Sequence, residues 1–155
     1  MNVTLVPKDK KEQALFLAKS KNDYAQSLAK AFDIEWSAAL EDAEKSVKSI
    51  FKPKKDIVLH KFYSAFDQSI NQYIGDVWLT LNVSKQKAYL YEIVIEEGYR
   101  GKGYGKMMMS LLHDYCKEKG MSKIELAVFG WNKVAYRLYK NAGYDMVRCS
   151  MQKQL

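Results

Sequence analysis

The sequence holds little that could staple a fold or bind a metal. Its two cysteines, Cys116 and Cys149, have neither CxxC nor metal-ligand spacing, and both are expected to be reduced packing residues. The two histidines, His60 and His113, have no serine, cysteine or aspartate arrangement of a nucleophile triad and read as structural. No metal is expected. No apolar run approaches the roughly 20 residues of a membrane span, and Met1 to Leu17 carries lysines and an aspartate where a signal sequence needs an apolar core. The expectation is a cytoplasmic protein with no membrane partner. There is no internal repeat, linker or low-complexity stretch.

What is present suits an ordinary globular core. The chain of 155 residues is 48% hydrophobic and 13% aromatic, which argues against disorder. A single domain over 1–155 buries roughly two thirds of its unfolded surface. The net charge of +7 raises the question of nucleic acid, but the lysines are scattered and no helix carries a one-faced basic stripe. A phosphate-rich ligand would account for part of that charge and solubility for the rest.

Residues 2–6 read as a first strand closed by Pro7. Asp9 is a candidate cap for a helix over 10–31 with Leu15, Leu28 and Phe32 among its apolar members, and Ser20 to Asp23 could interrupt it. Ser37 is a second cap candidate, before a stripe of Leu40, Ala43, Val47 and Ile50. The period then becomes strand-like over 57–64, 74–81 and 87–95, implying an antiparallel meander. A helix with Met108, Leu111, Leu112 and Tyr115 on one face ends at Gly120, and Met107 to Met109 read as core filler. Ile124, Leu126 and Val128 alternate as a strand, Asn132 opens a last helix that Gly143 stops, and Tyr144 to Gln152 returns as strand. The fold class is α/β (α+β), a mixed and mostly antiparallel sheet flanked by helices, in the order (β)ααβββαβαβ.

The stretch from Tyr89 to Met109 organises the chain. An apolar strand (Leu90, Ile93, Val94, Ile95) passes through Glu96 and Glu97 into Arg100-Gly101-Lys102-Gly103-Tyr104-Gly105, which opens onto a helix at Lys106. Such a loop aims backbone N–H groups and a positive helix end at one spot, with Arg100, Lys102 and Lys106 adding charge, and it suits a pyrophosphate. The same glycines also fit an ordinary tight turn. Neither Gly-x-x-x-x-Gly-Lys-Ser/Thr nor Gly-x-Gly-x-x-Gly is present.

Arg100-x-x-Gly103-x-Gly105 resembles the signature of the GNAT superfamily of acyl-CoA-dependent N-acyltransferases, whose Arg/Gln-x-x-Gly-x-Gly/Ala loop holds the coenzyme A pyrophosphate. A second block, Asn132 to Tyr144, is similar to the family's Asn-x-x-Ala-x-x-x-Tyr-x-x-x-Gly-Phe/Tyr segment, with Asn132, Ala135, Tyr139, Gly143 and Tyr144 filling its marked positions. The resemblance covers the last 65 residues or so; the first half matches only in the order of its elements. It implies acetyl-CoA as acyl donor, held by the loop from Arg100 to Gly105 with Lys102 or Lys106 near a phosphate. It also implies that the main chain of Ile93, Val94 and Ile95 bonds the pantetheine amides across a bulge that splays this strand from the next. Relatives often have proline where Glu97 stands, which leaves Glu96 and Glu97 for the acceptor side or solvent.

Acyl transfer needs a neutral amine, a polarised carbonyl and a proton for the departing thiolate. Glu92, between Tyr91 and Ile93, is the candidate base, since partial burial raises a carboxyl pKa; it also reads as a carboxylate hydrogen-bonded at a sheet face. Asn132 and Tyr139 are about two helical turns apart on one face. The resemblance makes Tyr139 the general acid and Asn132 a pantetheine ligand, and their plain alternatives are a core aromatic and a helix cap. Tyr24, Trp36, Tyr73, Trp78, Phe129 and Trp131 read as core or groove wall, with Trp131 nearest a ligand. The leading expectation is an N-acetyltransferase acting on a primary amine in a ternary complex. A catalytically idle acyl-CoA-binding regulator and a nucleic-acid-binding protein are the rivals. The acceptor is not disclosed, and a homodimer stays open because relatives often dimerise.

Overall fold

The period-two runs between residues 57 and 95 become three adjacent strands, β2 (Val58–Asp67), β3 (Gln72–Asn82) and β4 (Lys87–Ile95), in a computed structural model that describes residues 1–155. Positive φ at Asn71 (54°) and Gln86 (47°) turns the chain back between them. β1 (Val3–Pro7) adds outside β2, and β5 (Lys123–Leu126) outside β4, so the sheet runs β1-β2-β3-β4-β5. Neighbours are antiparallel except β5, which is parallel to β4. This is the mixed, mostly antiparallel α/β (α+β) sheet that the sequence implies.

Helices cover both faces. α1 (Lys10–Phe32) starts at a capping box in which Asp9 Oδ1 accepts from the Glu12 amide at 2.8 Å and Glu12 Oε2 from the Asp9 amide at 2.7 Å. It runs unbroken through Ser20 to Asp23 because its buried residues Phe16, Ser20, Ala25 and Leu28 hold the helical period across that segment. α2 (Trp36–Ile50) starts after Glu35, which has extended φ and ψ and makes no side-chain cap bond, so Ser37 falls inside the first turn and is not the cap. Ala39 and Ala43 of α2 meet Ala25 and Leu28 of α1 in a small cluster of their own.

The main core lies on the other face. Ile74, Val77, Leu79, Leu81, Ala88 and Leu90 from the sheet pack on Met108, Met109, Leu112 and Cys116 of α3 (Tyr104–Glu118). α4 (Lys133–Asn141) adds Leu138 and Tyr139 to that face. Opposite, α1 is pinned to the sheet by Phe16, edge-on to Phe62 and Trp78, which stack at 5.3 Å. No helix is long and apolar enough to cross a membrane.

The C-terminal segment departs from expectation. Residues 144–155 form no strand, so the order ends at α4 and the outer edge of β5 stays unpaired. Val147 and Met151 are 93% and 91% exposed, so the alternation there buries nothing, and a lone strand without a partner has no ladder bonds to hold it. The segment touches α1 through Gln152 Nε2, which donates to Ala31 O at 3.1 Å. Cys149 is consequently exposed, whereas Cys116 is the buried packing residue expected of both. Val128 lies beyond β5, and Trp36 and Tyr73 are exposed side chains, not core.

One buried carboxylate ties three distant parts together. Asp67, 0% exposed, accepts at Oδ1 from the Asn2 amide (3.0 Å), the Ser69 amide (2.9 Å) and the Ser69 hydroxyl (2.6 Å), and at Oδ2 from the Tyr104 hydroxyl (2.7 Å). The Ser69 hydroxyl and then the Asn2 amide hold its carboxyl well below the usual range, outweighing the opposing effect of desolvation. A depressed folded pKa contributes stability above the unfolded value of about 3.9 and loses it as pH falls toward the folded value. Asp67→Asn is therefore expected to lower Tm at pH 7, with the gap to wild type narrowing as melting is repeated below about pH 4. A gap that stays constant down the acid series would remove the charged carboxylate as its cause.

Candidate active site

The centre of the site is a defect in β4. Trp78 of β3 faces Glu92 and Leu79 faces Leu90, so Tyr91 is one residue too many and forms a bulge. Alternation breaks there. Tyr91 stacks on Trp78 at 4.6 Å and Glu92 bonds Ser20 of α1, which puts both side chains on the α1 side, while Ile93 and Ile95 return to the α3 side. Pairing with β5 stops at the same place, running only from Lys87↔Lys123 to Leu90↔Leu126. From Tyr91 to Ile95 no strand pairs with the β5-side edge of β4, and its outward backbone groups, apart from the Ile95 carbonyl that accepts from Arg100 Nε, can take an extended ligand as an added strand. Ile93, Val94 and Ile95 all lie on this edge.

At the end of the open edge a single 3₁₀ turn (Glu97–Tyr99) leads into the glycine loop. Gly101 and Gly103 take φ of 71° and 90°, values that side-chain-bearing residues rarely adopt. α3 has no side-chain cap, and none of the six amide N–H groups from Gly101 to Lys106 is taken by a protein acceptor. They form a positive cradle at a helix start. Arg100 Nε donates to Ile95 O at 2.9 Å and Lys102 Nζ to Gly98 O at 2.7 Å, so both fold back and shape the loop; Lys106 is exposed with no carboxylate partner. The Tyr104 side chain does not face the loop: it is buried and bonded to Asp67, and only its amide belongs to the cradle. At Gly105 a Cβ would stand 3.3 Å from Leu138 Cδ2, so this glycine also lets α3 and α4 approach closely.

Burial raises the Glu92 pKa, Asp23 and Asp76 add to the rise, and the Ser20 bond and Lys19 oppose it. Glu96 is exposed and turns toward Lys19 at 4.0 Å, on the same α1 side. Tyr139 lies on the α3 side, half-buried against the core. Burial raises its pKa. Its hydroxyl has no protein partner and is open to solvent, since every sealed side-chain polar atom is partnered. The open edge of β4 thus lies between a carboxyl on one face of the sheet and a phenol on the other. Asn132 caps α4, its Oδ1 accepting from the Ala135 amide at 3.1 Å, which leaves its amide N–H₂ to donate. Trp131 stacks on Phe129 at 6.1 Å and carries Lys30 Nζ 4.0 Å over its ring, bridging α1 to the segment before α4.

His60 stacks on Phe51 at 4.4 Å, and His113 Nε2 lies 3.1 Å from the Tyr144 hydroxyl, so both are held in structural contacts. No group of three or more His, Cys, Asp or Glu is gathered where it could hold a metal ion. Three residues of the site have no motif around them. Ser20 is a polar residue inside a buried helical stripe, and Asp67 an acid at a strand end. Gly75 sits where a Cβ would be 3.3 Å from Ile95 Cα and closer still to the Val94 carbonyl.

Residues 25–144 match the acetyltransferase (GNAT) family. The chain is 28% identical over 160 residues, the full length of both, to YycN of Bacillus subtilis (strain 168), named an uncharacterized N-acetyltransferase. It is 35% identical over 71 residues to the thialysine N-epsilon-acetyltransferase of Sus scrofa, covering 46% of this chain and 39% of that one. The crystal structure of YycN superposes with a TM-score of 0.86 over 99% of each chain at 24% identity. A spermidine N-acetyltransferase from Vibrio cholerae, solved with CoA and spermine, superposes with a TM-score of 0.60 at 19% identity over 92% of this chain and 80% of that one.

Proposed function

The chain belongs to the acetyltransferase (GNAT) family and is an N-acetyltransferase, and from that premise we propose that it acetylates a primary amine by direct attack in a ternary complex on residues 1–155 acting as one domain. One observation carries the reading: an open strand edge, Tyr91 to Ile95, runs straight into six unpaired amides at the start of α3. The family's acyl donor is acetyl-CoA. Its pantetheine arm fits the main chain of Ile93, Val94 and Ile95 with Asn132 donating from the far side, and its pyrophosphate fits the amides of Gly101, Lys102, Gly103, Tyr104, Gly105 and Lys106, with Arg100 bracing the loop.

In this reading Glu92 takes a proton from the acceptor ammonium, the neutral nitrogen forms its bond to the acyl carbon, the C–S bond breaks as Tyr139 gives its phenolic proton to the sulfur, and the second proton that the nitrogen sheds on becoming an amide restores the Tyr139 phenol. A carboxyl with a raised pKa suits the first job, and a phenol kept protonated by burial suits the last. Two relatives are named for amines, thialysine and spermidine, which supports an amine-bearing acceptor.

Thiol release from acetyl-CoA against a panel of diamines, lysine analogues and amino acids tests the activity. Intersecting initial-velocity lines are the expected pattern, and parallel lines would replace direct attack with a covalent intermediate. Gly103→Val tests the cradle, because a β-branched residue is poorly accommodated at φ 90° and would distort the loop that presents the amides. Affinity for acetyl-CoA is expected to fall at least about tenfold, or about 1.4 kcal/mol, in a folded variant. Unchanged affinity by calorimetry would remove the loop from the donor site.

A further inference from the structure

We propose that Ser20 of α1 is the positioning residue for Glu92: its hydroxyl, brought across from a helix 72 residues away in sequence, fixes one carboxylate oxygen and leaves the other to receive the acceptor's proton. The proposal rests on Glu92 acting as the base.

The helix itself gives the first reason. The buried residues of α1 are Phe16, Ser20, Ala25 and Leu28, and Ser20 is the polar one, 8% exposed, one turn after the phenylalanine that pins the helix to Phe62 and Trp78. A mid-helix serine ordinarily points to solvent or bonds back to the carbonyl four residues earlier. This one does neither, and donates to Glu92 Oε2. A packing role alone would be served by alanine, which is what α1 and α2 use where they meet each other.

The bond also has a task that its surroundings create. Burial pushes Glu92 toward its neutral form, with the charges of Asp23 on α1 and Asp76 on β3 adding to the push. Lys19 on α1 opposes it, but is 59% exposed and shared with Glu96. Asp76 is itself met by Lys8 Nζ at 2.6 Å and by the Ser64 hydroxyl at 3.2 Å, so Lys8 answers that carboxylate and not Glu92. Ser20 is thus the one hydroxyl that donates to Glu92 itself, and a donor to the ionised form keeps the base available at neutral pH. Glu92 Oε1 takes no hydrogen bond from the protein, so the geometry leaves it for the incoming ammonium.

The test is the pH dependence of kcat/KM for Ser20→Ala, Ser20→Thr and Glu92→Gln, with acetyl-CoA and an amine that the wild type accepts. In Ser20→Ala the acidic limb is expected to move to higher pH and kcat/KM at neutral pH to fall roughly tenfold, the size of one charge-assisted hydrogen bond. Ser20→Thr, which keeps the hydroxyl, is expected to restore the wild-type limb. Melting temperatures of all three variants separate loss of fold from loss of alignment. An acidic limb that disappears in Glu92→Gln yet stays in place in Ser20→Ala would overturn the role of Ser20 alone. A limb that survives in Glu92→Gln would remove Glu92 as the base, and with it the ground for a positioning residue.

Discussion

Tyr139→Phe is expected to lower kcat by roughly 10²-fold while leaving the melting temperature and the affinity for acetyl-CoA near wild type. The ring packs against the main core from α4, and phenylalanine keeps that contact. The hydroxyl has no protein partner to orphan, so its removal costs the fold little. On the proposed mechanism what is lost is the proton for the departing thiolate, an interaction that strengthens only as the C–S bond breaks, which is why kcat should carry the effect. A thiolate leaves tolerably unaided, placing the loss at the low end of the usual range for a positioned acid. Steady-state kinetics and direct binding decide it. Wild-type kcat would make Tyr139 a packing residue, and a large drop in donor affinity would make it a binding one.

Gly75→Ala is expected to be the more damaging change to the fold. The glycine lies within β3 opposite Ile95, and an added Cβ would press into the Val94 carbonyl, with Val94 C at 3.1 Å and Ile95 Cα at 3.3 Å. Backbone cannot give way as a flexible side chain can, so β3 and β4 must move apart at the point where β4 has no support from β5. Overpacking typically costs about 1–3 kcal/mol, and a backbone clash belongs at the top of that range or beyond it. The displaced residues are those proposed to line the donor, so acetyl-CoA affinity should fall together with Tm. A variant with wild-type stability and affinity would show that the strands absorb the methyl group, and that the glycine is not what holds them close.

Gly75 also marks where a single sequence stops being informative. The bounds of β4, the cap at Asp9, the glycine loop and the last helix were legible because each is announced by neighbours a few residues away: alternation, an acid before a helix, glycines in a row, Asn132 followed at helical spacing by Tyr139. Gly75, Ser20 and Asp67 matter through contacts with Val94, Glu92 and Tyr104, and no local pattern reports such partners. Asp67 in particular reads as one more acid before a turn until Tyr104 is seen to reach it. The C-terminal segment failed in the opposite direction. Its alternation from Tyr144 onward is a genuine strand-like pattern, but a pattern states only what a segment could pair with, and none of the sheet's strands pairs with it. Tyr104 shows a related limit: a motif position fixes where the backbone amide goes, while burial decides that the side chain turns away to Asp67.

The two-helix cluster of Ala25, Leu28, Ala39 and Ala43 has a consequence for how this enzyme can change over generations. Those contacts are made between α1 and α2, apart from the core that sets the sheet, α3 and the glycine loop. Drift in the helix pair can therefore tilt or slide it, and with it the wall over Glu92, and reaches the half of the molecule proposed for the donor through Phe129 and Trp131, which α1 meets at Tyr24 and Lys30. Ser20 sits where the two regimes meet: a lineage that adopts a new amine is free to rewrite much of the pair but is constrained where α1 touches the rest of the molecule, at Phe16 and Ser20 on the sheet and at Tyr24 and Lys30 on the segment before α4. Selection for a new acceptor and selection to keep the old donor then act on largely separate sets of residues.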